Sequence, residues 1–283
     1  MAPWCIVLIA ISATVAVLFA LWLFLIAPRA RKKDIQPFLC SYAHRGLWNG
    51  ERPENSLSAF AAAVQAGFGI ELDVQLSADG EVMVFHDYTL DRVCARPGKV
   101  IEHTAAELTQ MPLCGVTDQC IPTFRQVLET VGGRVSLLIE LKGESGNTAL
   151  VPKVLELLQS YDGPWCMESF NPLLLRAVRK QAPNTVIGLL STDLIKEKRK
   201  GNRLLNFALS ALWLTFLCRP AFHAWDGHHP RRVALRVGLK WFDAASFVYT
   251  VRDPAAYRQY MANHTYPIFE GFVPEKHENH NTY

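Results

Sequence analysis

Carboxylate residues recur in or at the ends of short apolar runs in this 283-residue chain. Glu71 and Asp73 are two residues apart in the run GIELDVQL, so the alternation of a strand places both side chains on one face. Glu140 ends a second apolar run, and Lys142 follows two positions later on the same side. Neighbouring carboxylates repel each other unless a cation lies between them, and Mg²⁺ or Ca²⁺ prefers such oxygen ligands. Glu71, Asp73 and Glu140 therefore predict a site for a divalent cation.

Two histidines and a further basic residue occur at similar positions. His44-Arg45 closes the run FLCSYAH, and His86-Asp87 closes the run EVMVFH. Displacement at a phosphodiester requires charge to be neutralised at the nonbridging oxygens, which Arg45, Lys142 and a cation can do. One histidine with a pKa near neutrality can take a proton from the attacking hydroxyl, and the other can give one to the leaving oxygen. The set predicts metal-assisted phosphodiester cleavage, although each residue alone would suit a solvated strand end or an ion pair.

The elements that must position these residues alternate between strands and helices. Strand candidates occupy residues 38–44, 69–76, 81–86, 136–141, 164–170, 185–190, 221–226, 246–251 and 267–272. Helical candidates occupy residues 56–66, 123–131, 148–160, 172–181 and 253–263. This alternation predicts a parallel sheet of the α/β class, and a TIM-type (β/α)8 barrel is the first expectation. A doubly wound open sheet is second, because no glycine-rich dinucleotide motif follows the first strand.

One of the nine strand candidates is surplus to an eight-stranded barrel. Asp79-Gly80 separates the runs 69–76 and 81–86 and is typical of a two-residue type I′ hairpin turn, which makes these two strands antiparallel. With that turn the numbers of paired residues sum to 159, so Asp73 would lie directly opposite His86. We therefore expect the run 81–86 to form an arm that extends above the barrel and brings His86 back to the barrel rim.

Several motifs follow one another between about residues 40 and 190. They are His44-Arg45-Gly46, Pro53-Glu54-Asn55-Ser56 with Ala59-Phe60, Ile70-Glu71-Leu72-Asp73-Val74, Asp79-Gly80, His86-Asp87, Ile139-Glu140-Leu141-Lys142 and Ser169-Phe170. In this order they resemble the motifs of the glycerophosphodiester phosphodiesterase family. The resemblance implies a TIM-type barrel that cleaves glycerophosphodiesters to glycerol 3-phosphate and an alcohol.

The resemblance also implies roles for individual residues, which fall into four groups. They are a general acid–base pair (His44 and His86), metal ligands (Glu71, Asp73 and Glu140), phosphate contacts (Arg45 and Lys142) and supports of the loop after the first strand (Glu54 and Asn55). Because His44 adjoins Arg45, we expect His44 to be the base and His86 to be the acid.

The resemblance weakens towards the C-terminus. Tyr249-Thr250-Val251 stands where the family often has Trp-Thr-Val, and residues 269–274 (FEGFVP) replace a common Asp-Gly…Thr-Asp-x-Pro segment. The resemblance implies that these regions line the leaving-group side, so the identity of the alcohol stays open. A lysophospholipase D or a phosphatidylinositol phospholipase-like activity is an alternative, and a retired barrel that binds membrane lipid is another. The presence of both histidines and all three carboxylates argues against this catalytically retired, lipid-binding barrel.

The N-terminal stretch from residue 4 to residue 27 contains no charged residue. About 20 apolar residues span the bilayer core as a helix. No Lys or Arg precedes the stretch, it is too long for a signal peptide, and Pro28-Arg29 does not suit a cleavage site. We therefore expect an uncleaved transmembrane anchor over residues 4–27, followed by a basic linker over 28–37, a catalytic barrel over 38–274 and a polar tail over 275–283.

Charge and cysteine content narrow the remaining possibilities. Arg29, Arg31, Lys32 and Lys33 follow the apolar stretch, so the positive-inside rule places the barrel on the cytoplasmic side of a cell membrane. A net charge of +3 is too weak to indicate nucleic acid. The seven cysteines are odd in number and form no CxxC pair, which indicates reduced thiols rather than a disulfide framework or a zinc site. Nothing indicates an obligate protein partner.

Three further features have a structural and a functional interpretation. Residues 204–218 form an apolar run preceded by basic residues, which suits either a buried barrel helix or an interfacial helix on anionic lipid. Glu168 has the opposite alternation to Ser169, which favours a structural role. His223, His228 and His229 show no metal-ligand spacing and predict a surface loop.

Overall fold

The computed structural model describes residues 2–29, 32–143, 147–229 and 233–275. Arg31 of the predicted linker and residues 276–283 of the predicted polar tail lie outside the described residues, as do the side chains of Lys32 and Lys33. The strands, in chain order, are β1 (Tyr42–His44), β2 (Gly69–Leu76), β3 (Val82–Val84), β4 (Pro112–Leu113), β5 (Val116–Cys120), β6 (Leu137–Leu141), β7 (Trp165–Ser169), β8 (Ile187–Ser191), β9 (Phe222–Asp226), β10 (Ala245–Val251) and β11 (Tyr266–Phe269).

Eight of these strands form a closed parallel barrel, which confirms the predicted fold. The ring runs β1, β2, β6, β7, β8, β9, β10 and β11, and it closes because β1 pairs in parallel with both β2 and β11. The strand β3 joins the sheet through β2 and is antiparallel to it, so it is the surplus strand. The two short strands β4 and β5 form a separate antiparallel hairpin that the sequence pattern did not predict.

Ten α-helices occur in the described residues, and those between barrel strands cover the outer face of the barrel. They are α1 (Pro3–Ile26), α2 (Leu57–Ala66), α3 (Asp91–Cys94), α4 (Ala105–Leu108), α5 (Phe124–Val131), α6 (Leu150–Leu158), α7 (Pro172–Gln181), α8 (Arg203–Ser210), α9 (Val233–Trp241) and α10 (Pro254–Ala262). Short 3₁₀ helices occupy Lys32–Phe38, Val100–Glu102 and Thr215–Leu217. Four of the predicted helices begin where a capping side chain accepts a backbone N–H, as at Ser56, Thr123, Asn171 and Asp253.

The hairpin between β2 and β3 has a different register from the predicted one. Val74 pairs with Val84 and Leu76 with Val82, so paired numbers sum to 158 rather than 159. The reason is a longer turn, in which the N–H of Gly80 donates to the carbonyl of Ser77 and the N–H of Ser77 donates to that of Glu81. Gly80 has a positive φ of 81°, as the third residue of such a loop requires. The prediction of a two-residue turn was therefore wrong.

The barrel interior changes from apolar to acidic along the strand direction. At the N-terminal end, Tyr42, Phe222 and Phe247 are fully buried and pack against one another. Gly188 has no alternative there, because a Cβ at this position would lie 1.9 Å from the Phe222 ring. Towards the C-terminal ends of the strands, the buried side chains are carboxylates instead. The inward-facing side chains of the same strands thus form an apolar layer at the N-terminal end of the barrel and a polar layer at its C-terminal rim.

Helix α1 is the one helix in the described residues that is long and apolar enough to cross a membrane. The part of α1 from Phe19 onward contacts the barrel, and Ile26 in it is 1% exposed. The guanidinium of Arg219 donates to the carbonyls of Phe24 and Ala27 at 2.7 Å and 3.0 Å. The following 3₁₀ helix packs Ile35 into the barrel core, so the chain between α1 and β1 is in contact with the barrel.

Candidate active site

Three buried carboxylates meet at the C-terminal rim of the barrel. Strand β2 carries Glu71 and Asp73 on its inner face, and Asp73 pairs in register with Glu140 of β6. Glu71, Asp73 and Glu140 are 2%, 0% and 8% exposed, and one oxygen of each lies within 4.8 Å of the others. Strand alternation and the parallel register therefore bring together the three residues that were predicted as metal ligands.

The carboxylates differ in how their charge is balanced. Burial, reinforced by the charges of Asp73 and Glu140, raises the pKa of Glu71 well above its usual value. Burial also raises the pKa of Glu140 to about 7, against the opposing charge of Lys142. For Asp73 burial acts in the same direction, but the charges of Lys142, His86 and Arg45 outweigh it and hold the pKa below its usual value. Negative charge at Glu71 and Glu140 is therefore undercompensated by the protein alone.

Both predicted phosphate contacts lie at the same rim and are paired with carboxylates. The ammonium of Lys142 lies 3.0 Å from Asp73 Oδ1 and 2.8 Å from Glu140 Oε1. The guanidinium of Arg45 donates to Glu54 at 2.7 Å, and its Nε lies 3.5 Å from Asp73 Oδ2. These positions place both cations against the carboxylate cluster, where they can also face an anion.

Glu54 and Asn55 hold the loop after β1 against β2. The side-chain amide of Asn55 donates to Asp73 Oδ2 at 2.9 Å, and its backbone N–H donates to the carbonyl of Arg45 at 3.0 Å. Glu54 accepts hydrogen bonds from both Arg45 and Arg92. The loop turns sharply at Gly46, where a Cβ would lie 2.8 Å from the backbone of α2. These contacts fix the loop after β1 beside β2.

His44 is held by a residue that the sequence analysis did not select. Its Nδ1 is hydrogen-bonded to Glu270, which lies just beyond β11 and next to β1 in the closed barrel. Because a carboxylate only accepts, Nδ1 carries the proton and Nε2 is free to accept one. Nε2 lies 3.9 Å from Glu71 Oε2. The only signal in the sequence was an acidic residue at the end of the last strand.

The second histidine has the same kind of partner. His86 Nδ1 lies 2.5 Å from Asp87 Oδ1, so His86 also presents Nε2 as its acceptor. Arg92 donates to Asp87 Oδ2 at 2.6 Å and to both oxygens of Glu54. Burial lowers the pKa of both His44 and His86, against the opposing effect of their carboxylate partners. In each pair the carboxylate partner therefore favours the imidazolium, which burial opposes.

A cavity of about 660 Å³ opens beside His86, Glu140 and Lys142. Its wall includes Phe170 and Tyr249, whose rings meet edge to face with centroids 6.0 Å apart. Its far side is formed by the segment from β8 to α8, which contributes four leucines, Leu189, Leu190, Leu194 and Leu209. Polar and charged groups of the same segment reach the cavity at Thr192, Glu197, Arg199 and Lys200.

Two predictions about neighbouring residues need correction or refinement. Glu168 is 1% exposed on the inner face of β7, pairs in register with Glu140, and has no hydrogen-bond partner for Oε2 among the described residues. His223 lies within β9 and is 1% exposed, so its assignment to a surface loop was wrong. His229 lies 3.7 Å from Glu197 despite the lack of ligand spacing, because a strand end and a loop meet there.

Comparison with known proteins identifies the family. Residues 44–263 match the profile of the Glycerophosphoryl diester phosphodiesterase family. A protein from Caldanaerobacter subterraneus subsp. tengcongensis named Glycerophosphodiester phosphodiesterase is 36% identical over 161 residues, which are 52% of this chain and 65% of that protein. Human Glycerophosphodiester phosphodiesterase 1 is 27% identical over 53% of this chain and 48% of its own length. The match thus spans less than two thirds of either relative.

Solved structures share the barrel over a larger part of the chain. A glycerophosphodiester phosphodiesterase from Thermotoga maritima is 27% identical, with a TM-score of 0.60 over 82% of this chain and 94% of its own. A phosphodiesterase from Oleispira antarctica, solved in complex with the product sn-glycerol-3-phosphate, has a TM-score of 0.67 at 23% identity and covers 82% of this chain and 92% of its own. Since the family profile covers well over half of its residues, this chain belongs to the glycerophosphoryl diester phosphodiesterase family.

Proposed function

We propose that this protein is a metal-dependent phosphodiesterase that hydrolyses glycerophosphodiesters to glycerol 3-phosphate and an alcohol. The observation that carries the proposal is the convergence of two carboxylate-held histidines with three buried carboxylates at the active rim of a barrel. The names of the curated relatives and the product complex of the Oleispira antarctica phosphodiesterase support the same substrate class.

The carboxylate cluster fits a hard divalent cation such as Mg²⁺ or Ca²⁺. Three buried oxygens lie close together, and burial raises the pKa of two of these carboxyl groups, Glu71 and Glu140. Glu71, Asp73 and Glu140 would hold the ion. When bound, it would neutralise negative charge and polarise a phosphate oxygen.

His44 and His86 would share the proton transfers, His44 as the base and His86 as the acid. Each is fixed by its Nδ1–H bond to a carboxylate, so Nε2 is the atom that exchanges protons with the substrate. His86 lines the large cavity and would protonate the oxygen of an alcohol that leaves into it. His44 Nε2 lies 3.9 Å from Glu71 Oε2, and His44 would take the proton of the attacking oxygen. That oxygen belongs to water, or to a substrate hydroxyl whose cyclic phosphate water then opens.

Arg45 and Lys142 would bind the nonbridging phosphate oxygens. A guanidinium has five N–H donors and an ammonium has three, so each retains donors beyond those used on carboxylates. Both are held in place before substrate arrives, Arg45 by Glu54 and Lys142 by Asp73 and Glu140. Such preorganisation stabilises negative charge on the nonbridging oxygens without further rearrangement.

A second candidate substrate is a lysophospholipid, which the same chemistry would cleave as a lysophospholipase D. The observation that favours it is the leucine-rich wall of the cavity between β8 and α8, which can accommodate an apolar chain. Helix α1 would anchor the enzyme in a cell membrane over residues 4–27, with the barrel on the cytoplasmic side. That location would bring the cavity close to lipid substrates.

A substrate panel with purified full-length protein tests the proposal. Glycerophosphocholine, glycerophosphoethanolamine and lysophosphatidylcholine would be incubated with the detergent-solubilised protein, and glycerol 3-phosphate or lysophosphatidic acid would be quantified. We expect release of glycerol 3-phosphate that EDTA abolishes and excess Mg²⁺ or Ca²⁺ restores. Absence of turnover on every diester with either metal would overturn the proposal and favour a lipid-binding barrel.

A matched pair of variants tests the assignment of the metal ligands. Asp73→Asn keeps the shape of a fully buried ligand but removes its charge, so it should lose most activity and weaken cation binding in calorimetry. Asp243→Asn makes the same change at an exposed position and should behave as the wild type. Full activity of Asp73→Asn in the presence of chelator would contradict the assignment.

A further inference from the structure

Helix α1 contacts the barrel well before its own C-terminal end. The ring of Phe19 packs edge to face against Trp241, the last residue of α9, with centroids 5.9 Å apart. Phe19 precedes Ala27 by eight residues, which at 1.5 Å per residue corresponds to about 12 Å along the helix. If α1 crosses a bilayer with residue 27 at its surface, the barrel edge around Trp241 must lie below that surface.

The contact between α1 and the barrel is built from directional bonds as well as apolar packing. Arg219 donates to two carbonyls at the end of α1, and its guanidinium lies 4.3 Å from the ring centroid of Phe24. The N–H of Arg29 donates to the carbonyl of Pro220 at 2.9 Å. These bonds fix α1 to the segment just before β9, so the barrel has little freedom to rotate away from the helix.

Exposed aromatic and aliphatic side chains occur on both elements that flank α1. Trp241 is 62% exposed at the end of α9. On the other side, Trp213 lies two residues before the 3₁₀ helix that contacts α1, and its ring packs edge to face on Phe207. Leu204 and Leu205 of α8 are 74% and 49% exposed. Tryptophan is enriched where a protein surface meets the membrane interface.

The stretch that leads into α8 is strongly basic. The stretch from residue 196 to residue 203 carries one acidic residue, Glu197, and five basic residues, Lys196, Lys198, Arg199, Lys200 and Arg203. Basic side chains beside exposed apolar ones are typical of surfaces that bind anionic lipid. Arg199 and Lys200 also line the cavity, so its opening lies next to this basic stretch.

We propose that Trp241, Trp213, Phe207, Leu204 and Leu205, together with the basic stretch 196–203, form a membrane-docking face that rests on a bilayer containing anionic lipid. The proposal depends on the proposed membrane anchoring by α1, which brings this face to the lipid. Both α1 and the membrane-docking face then hold the barrel against the membrane, and the cavity opens beside the lipid surface.

Quenching of tryptophan emission by brominated lipid tests this face. Full-length protein would be placed in nanodiscs of phosphatidylcholine and phosphatidylglycerol whose acyl chains carry bromine near the headgroups. The emission of one tryptophan is the wild-type spectrum minus that of its Phe variant, for Trp4, Trp48, Trp213 and Trp241 in turn. We expect Trp241 and Trp213 to be quenched about as strongly as Trp4 of the anchor. Trp48, in the loop after β1 at the active rim, should be unaffected.

The comparison separates failure of the docking face from failure of the anchor. Quenching of Trp4 without quenching of Trp241 and Trp213 would overturn the docking face while leaving the anchor in place. Loss of quenching at all three would contradict membrane anchoring itself. A triple variant, Lys196→Glu with Lys198→Glu and Arg203→Glu, should reduce quenching of Trp213 in discs with phosphatidylglycerol but not in phosphatidylcholine alone. Equal quenching of Trp213 with and without these substitutions would contradict recognition of anionic lipid.

Discussion

His86 and His44 both donate a hydrogen bond from Nδ1 to a carboxylate, but their partners come from different parts of the chain. The partner of His86 is Asp87, the next residue, whereas the partner of His44 is Glu270, 226 residues away. The side chains of His86 and Asp87 are 33% and 22% exposed, and those of His44 and Glu270 are 14% and 8% exposed. The long-range pair is therefore the more buried of the two.

An arginine holds each carboxylate from its other side. Arg92 binds Asp87 and also bridges to Glu54, so it links the arm to the loop after β1. Arg252 binds Glu270 at 2.6 Å. Burial opposes the charge of Glu270, but the hydrogen bond and charge of His44 and the charge of Arg252 outweigh it and lower the pKa to about 2.

The difference in burial decides how much each carboxylate should contribute to function. Water can replace part of a hydrogen bond that is lost at an exposed site, whereas a buried imidazole keeps no substitute partner. The same type of pair should therefore matter more at His44 than at His86. The following predictions test this difference and the division of roles between the histidines.

The largest expected effect is the loss of either imidazole. His44→Ala and His86→Ala should each lower kcat/KM on a natural diester by about 10²–10⁴-fold, the range for a general acid or base. On a nitrophenyl diester, whose leaving group needs no proton, His86→Ala should cost little and His44→Ala should still cost heavily. Equal losses on both substrates for both variants would contradict the division into base and acid.

Removal of the carboxylate partners should have a smaller and unequal effect. Glu270→Gln should lower kcat by about 10–100-fold, as when a carboxylate that orients a histidine is removed. Asp87→Asn should cost less, because Asp87 is more exposed. Glu129→Gln, an exposed change on α5, is the control and should leave kcat unchanged. A larger loss in Asp87→Asn than in Glu270→Gln would show that burial does not set the order.

The pH dependence of kcat/KM should separate the two pairs by which limb of the profile moves. A carboxylate at Nδ1 stabilises the imidazolium, so its loss lowers the pKa of the histidine. A base is active when deprotonated, and Glu270→Gln should therefore move the acidic limb of the profile to lower pH. An acid is active when protonated, and Asp87→Asn should move the basic limb to lower pH. The opposite pairing of limbs with variants would reverse the roles of His44 and His86.

The smallest effect is expected on stability, from the two arginines. Arg92→Met removes hydrogen bonds to two carboxylates and should lower the free energy of unfolding by about 1 kcal/mol, at the upper end for partly exposed ion pairs. Arg252, whose side chain is 61% exposed, binds one carboxylate and should matter less when replaced by Met. Thermal unfolding in detergent measures the order, which an equal or larger shift for Arg252→Met would contradict.

Some of the site followed from local patterns in the sequence. The alternation of a strand was enough to place Glu71 and Asp73 on one face, and His86-Asp87 is a pair of neighbours. The hairpin between β2 and β3 was predicted, but its register was wrong by one residue. A turn of three residues and a turn of two residues have similar sequence signals around Asp-Gly, and the bonds of Ser77 select the longer one.

Other parts of the site depend on contacts between distant segments. The sequence around Glu168 does not indicate that its side chain faces the carboxylate cluster, because a shift of β7 by one residue would turn this side chain outward. The docking of α1 on Arg219 joins segments nearly two hundred residues apart, and no short-range pattern indicates it.

The sequence by itself determined the alternating strands and helices, the capped helix starts, the apolar N-terminal helix and the residues grouped at the ends of β1, β2 and β6. These features depend on the pleat of a strand, the unpaired N–H groups at the start of a helix and the length of an apolar run. Each of these is a property of one continuous segment of the chain. Only the tertiary structure decided that Glu270 holds His44. Closure of the barrel places β11 beside β1, and closure depends on the packing of all eight strands around one core.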